Sequence, residues 1–91
     1  AERAYHLGLV SRLVAPGEAM NEARKLAAQI ATSAPLAVYA SRKVVLAAAY
    51  QTDDELKKLT NTLFAEVMSS SDTKEGLTAF IEKRTPNWTG K

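Results

Sequence analysis

The sequence predicts an all-α domain of four to five short helices, with or without one short extended segment near the N-terminus. Two observations lead there. Apolar residues recur three and four apart in three separate stretches, at Met20, Ala23, Ala27 and Ile30, at Leu56, Leu59, Leu63 and Val67, and at Leu77, Phe80 and Ile81. Helix breakers and helix starters stand between those stretches: Gly8, Pro16-Gly17, Ser33-Ala34-Pro35, Thr52 with Glu55, and Ser69-Ser70-Ser71.

Ala1 to Leu7 has the length of about two helical turns, and Gly8 supplies the backbone freedom that ends a helix. Leu9, Val10, Leu13 and Val14 around Ser11-Arg12 suit an extended segment, which needs a partner strand to persist. Ala15-Pro16-Gly17 is a turn. From Glu18 the spacing gives a helix through Ala31, with Glu22, Arg24 and Lys25 between its apolar positions. Pro35 then restarts the chain, since a first-turn proline loses no intrahelical bond. The helix from Leu36 to Tyr50 is apolar nearly all round, so it calls for burial on more than one face.

Thr52-Asp53-Asp54-Glu55 fits a capping box, with acids that suit the positive end of a helix. The helix it opens carries Leu56, Leu59, Leu63 and Val67 beside Phe64 and Met68, a stripe wide enough for a core or a subunit interface. Asp72 with Glu75 is read as opening the last helix in the same manner. That helix would put Leu77, Phe80 and Ile81 on one face and leave Lys74, Glu82 and Arg84 polar.

Composition narrows the function classes. Ninety-one residues make at most one small domain, and its apolar fraction of 46% is rich in alanine, which buries little. No cysteine is present, so neither a disulfide nor a thiolate metal site supports the core. A net charge of +2 with scattered basic residues does not point to nucleic acid. No apolar stretch approaches the ~20 residues of a membrane span, which predicts a soluble chain without a membrane partner. The first residue is Ala rather than Met, and nothing about targeting follows from it.

No catalytic or metal-binding set emerges from the residues. Asp53, Asp54 and Glu55 read as solvated helix-start acids, and His6 lacks a nearby nucleophile with an orienting acid. No HExxH, paired-cysteine or Gly-rich phosphate motif occurs.

Several separated features, taken in order, resemble the C-terminal end of enoyl-CoA hydratases and isomerases, the crotonase family. Ala4-Tyr-His-Leu-Gly-Leu-Val10 resembles the family's helix-to-strand step, and Ser33-Ala-Pro35 with Lys43 resembles its proline-started helix. Leu63-Phe64, Asp72, Glu75-Gly76, Ala79-Phe80, Glu82-Lys83-Arg84 and Pro86 resemble its last two helices and tail. The resemblance implies that residues 1–91 are a single C-terminal helical domain, a lid over the CoA site and an oligomerisation element. The catalytic βαβ-spiral core with its oxyanion hole and glutamates would lie upstream, so the chain reads as a piece of an enzyme and is expected to be inactive alone.

The same resemblance implies an acyl-CoA thioester as substrate and no covalently bound cofactor. It implies assembly into trimers or hexamers, and a location in the cytoplasm or the mitochondrial matrix. Hydration, isomerisation, hydrolysis and decarboxylation share this tail, so it does not choose among them. Phe64 matches the aromatic beside which the adenine packs, and Lys83 matches the basic residue that meets the adenosine and phosphate end. On the residues alone, Phe64 reads as a core residue and Lys83 as a solvated one. A stand-alone helical interaction module binding through Leu56 to Met68 is the alternative from another class.

Overall fold

The computed structural model describes all residues from Ala1 to Lys91. It contains five helices: α1 (Glu2–His6), α2 (Ala19–Ala31), α3 (Pro35–Ala47), α4 (Asp53–Met68) and α5 (Ser71–Glu82). They fall into two compact units, Ala1–Ile30 and Ala31–Lys91.

In the first unit, α1 stops where Gly8 takes a left-handed φ of 73°. The suggested extended segment over Leu9–Val14 is not a strand: these residues form a loop without ladder pairing. The physical reason is the missing partner, since backbone N–H and C=O groups of a lone strand gain nothing over water. An ion pair between Arg12 and Glu22 joins the loop to α2.

In the second unit, α3 and α4 pack side by side. Ala37, Ala40 and Val44 face Leu63 and Val67 across a shallow cleft, so this part of the leucine stripe serves the chain's own core. Helix α3 ends three residues before Tyr50, which is exposed in the turn that follows. Its apolar reverse side is uncovered, with Tyr39 58% and Val45 71% exposed.

Thr52 caps α4 as the sequence predicts. Its backbone N–H donates to Glu55 Oε2 at 2.8 Å, and the Glu55 N–H donates to Thr52 Oγ1 at 3.4 Å. The cap of α5 is different from the expected Asp72–Glu75 box. Ser70 is the N-cap, its Oγ accepting from the Thr73 N–H at 3.2 Å, while Thr73 Oγ1 donates back to the Val67 carbonyl at 2.6 Å. Both acids are thereby left to hold the C-terminal tail.

Candidate CoA-contact site and the carboxylate-held tail

Phe64 lies on α4 one position past the buried Leu63, which turns its ring to the rim of the α3–α4 cleft. The ring is 63% exposed, so it is not the core residue that its apolar character allowed. The cleft has a volume of about 160 Å³ and is walled mainly by Ala37, Ala40, Val44, Leu63 and Val67, with Ser41 and Thr60 as its polar members. An apolar wall beside an open aromatic face is chemically suited to a flat ring.

Lys83 ends α5 in the left-handed region, at φ 53° and ψ 41°. Its N–H closes on the Phe80 carbonyl at 3.3 Å, and the next N–H, of Arg84, reaches the Ala79 carbonyl at 3.0 Å. The pattern satisfies the last helical carbonyls as a glycine would at this position. The lysine side chain is exposed and makes no hydrogen bond or ion pair within the chain. Phe64 and Lys83 stand on different elements, and the cleft that Phe64 borders is not lined by Lys83.

Past Lys83 the chain turns back along α5, held by two carboxylates. Glu75 accepts from both terminal nitrogens of Arg84, at 2.6 and 2.9 Å, and from the Asn87 N–H at 2.7 Å. Chiefly because of the Arg84 contact, and then the Asn87 bond, its carboxyl is lowered to about 2. Arg84 Nε donates to Glu82 at 2.6 Å, and the two carboxylates, Glu75 foremost, push the guanidinium further toward its charged form.

Asp72, only 2% exposed, accepts from the Thr89 N–H at 2.7 Å, from Thr89 Oγ1 at 3.0 Å and from the Gly90 N–H at 2.9 Å. The Thr89 N–H foremost holds this carboxyl below the usual aspartate range, against an opposing effect of burial. Trp88 lies over Gly76, where a Cβ would come within 3.1 Å of the indole. Its Nε1–H donates to the Thr32 carbonyl at 2.9 Å, tying the tail to the approach of α3. The absent side chain at position 76 therefore makes room for the ring.

The remaining acids and the histidine stay local. Asp54 pairs with Lys57 at 3.5 Å, and Glu55 is held below its ordinary value by the Thr52 N–H and then the Thr52 hydroxyl. His6 is exposed, its ring tilted against Tyr5 at 5.9 Å. No group of three His, Asp or Glu converges as metal ligands would, and no helix is long and apolar enough to cross a membrane.

The family model described as enoyl-CoA hydratase/isomerase matches residues 1–91. The chain belongs to the enoyl-CoA hydratase/isomerase family. It is 40% identical to a carnitinyl-CoA dehydratase of Proteus mirabilis, over all of this chain and 36% of that protein. Against a short-chain-enoyl-CoA hydratase of Clostridium acetobutylicum the identity is 37%, over 92% of this chain and 32% of the relative. An enoyl-CoA hydratase structure from Mycobacterium tuberculosis superposes with a TM-score of 0.92 at 39% identity, covering 99% of this chain and 36% of that one. One from Mycobacterium marinum gives 0.91 at 38% identity, covering 99% and 37%. The chain thus spans about a third of the length of the curated relatives it matches. Its five helices match a C-terminal helical region of the enoyl-CoA hydratase/isomerase fold.

Proposed function

We propose that this chain is the C-terminal domain, residues 1–91, of an enzyme that adds water to, or removes it from, acyl-CoA thioesters in the cytoplasm. In this reading Phe64 packs against the adenine ring and Lys83 meets the phosphates of the adenosine end. The exposed faces of α3, α4 and α5 are covered by the rest of the enzyme and by neighbouring subunits of a trimer or hexamer. The observation that carries the reading is the family match over the chain's whole length. The relatives named for hydratase and dehydratase reactions support hydration chemistry over the sister reactions. The open aromatic at the cleft and the unpaired ammonium at the end of α5 support the two contacts, in place of a stand-alone interaction module.

The test is steady-state kinetics on the full-length enzyme with crotonyl-CoA and carnitinyl-CoA. Turnover of either supports the reaction class, and failure of both counts against it. Lys83→Ala and Phe64→Ala should each raise KM by roughly tenfold with kcat little changed, because the adenosine end lies away from the reacting carbons and contributes uniform binding. A pantetheine thioester that suffers as much as the CoA thioester would assign these residues a structural role instead.

A further inference from the structure

Lys83 is the only residue other than glycine with a positive φ. An L-residue held there is disfavoured relative to the right-handed region, and it persists only where its surroundings over-determine it. Those surroundings are specific. The next residue, Arg84, is fixed by its N–H to Ala79, by a two-pronged contact with Glu75 nine residues earlier in the chain, and by a bond from Nε to Glu82 on the other side of Lys83. Two carboxylates face the Arg84 charge, whereas the adjacent Lys83 ammonium faces none within the chain. The local charges are divided between a cation used for architecture and a cation left open.

We propose that Glu75, acting through Arg84, is a positioning residue for Lys83, fixing the left-handed turn so that the lysine ammonium is presented to the phosphate-bearing end of a CoA thioester. The inference rests on the CoA-contact reading of Lys83 given above. With the Glu75–Arg84 fork in place the backbone at Lys83 has one conformation. Without it, right-handed conformers compete, and the ammonium meets the phosphates only in the fraction that retains the turn. A conformational preference of the size known for left-handed L-residues corresponds to a loss of about fivefold in apparent affinity.

The experiment is a double-mutant cycle of Glu75→Gln and Lys83→Ala in the full-length enzyme, read as KM and kcat with the CoA thioester and with the matching pantetheine thioester. Glu75→Gln should raise KM for the CoA thioester by about fivefold, leave kcat and the pantetheine KM unchanged, and have no further effect once Lys83 is Ala. Arg84→Lys keeps the charge but cannot make the two-pronged contact, and it should reproduce the effect where Glu75→Gln lowers the folded yield. An equal effect of Glu75→Gln in the Lys83→Ala background would overturn the proposal, because the loss would then not pass through the lysine. So would an unchanged KM in Glu75→Gln alongside a raised KM in Lys83→Ala, which leaves the lysine contact standing and removes only its positioning. If Lys83→Ala changes nothing, the underlying CoA contact fails and the positioning role with it.

Discussion

Phe80 separates what the chain does for itself from what the rest of an enzyme would do for it. The ring is 84% exposed on α5, between Ala79 at 2% and Ile81 at 79%, so one helix face is buried within the chain and the neighbouring one is bare. Truncating a core phenylalanine to alanine costs about 3–5 kcal/mol, and a side chain already open to solvent costs little. Phe80→Ala in the excised 91-residue chain should therefore change stability by no more than about 0.5 kcal/mol. In the full-length enzyme, where the proposed packing covers this face, the same substitution should cost about 3 kcal/mol, or roughly 6–12 °C in melting temperature for a chain of the relatives' size.

Ala79→Leu is the control with the opposite pattern, because overpacking a buried alanine costs about 1–3 kcal/mol wherever the surrounding helices are formed. Thermal melts of both variants in both contexts, followed by circular dichroism, decide the matter. Equal losses from Phe80→Ala in the short chain and the whole enzyme would mean that the ring already belongs to the chain's own core. No loss in either would mean that the face stays in water and the packing role is wrong.

Three further outcomes are expected. Thr52→Ala removes the hydroxyl half of the capping box and should lower the stability of α4 by about 1 kcal/mol, with the melt recovering most of its loss in Thr52→Ser. The tail should detach in acid. Glu75 and Asp72 are lowered in the folded chain, so their contribution is complete above the ordinary carboxylate range and is lost as pH falls, for Glu75 from about 4.5 toward about 2. Emission of Trp88, the single tryptophan, should report that transition, and Glu75→Gln should remove the Glu75 part of it, leaving the step that follows Asp72. Gly76→Leu should displace the indole at any pH and raise its exposure to quencher, whereas an unshifted Trp88 signal would refute the close packing over Gly76.

The periodic stretches made α2, α4 and α5 legible in the sequence, and Pro35 marked the start of α3, because an amphipathic stripe and a helix-start residue are local features. The tail was not legible. Ser70 competes with Asp72 for the cap position, and both Ser-x-x-Thr and Asp-x-x-Glu read as caps until the tail's donors claim the acids. Arg84 meets Glu75 only because Lys83 reverses the chain, and a lysine carries no sequence signal for a left-handed turn as a glycine would. The pairing of Glu75 with Arg84 and Asn87, and the seat of Trp88 on Gly76, are visible only in retrospect. Leu9–Val14 failed for the reverse reason, since strand-like composition has no meaning without a partner ladder. Phe64 and Lys83 entered through family resemblance, and the openness of the Phe64 ring to solvent is a structural observation that its apolar character could not supply.

The chain's energetics give its site residues a dependence on their surroundings. Its buried apolar residues are Ala47, Leu63 and Ala79, of which two are alanines with little surface to remove from water. Against this stand large exposed side chains on all five helices, among them Met20, Val45, Phe64, Leu77 and Ile81. Polar contacts supply much of the remaining order: a capping box at α4, a serine cap at α5, and two carboxylates holding the tail. Such contacts fix direction well but add little net free energy where water competes. Covering the apolar faces would supply the missing stability without disturbing the polar clasp around Lys83. The clasp can thus set the lysine's local geometry, while the position of that whole helix end relative to a thioester depends on the packing that covers Leu77, Phe80 and Ile81.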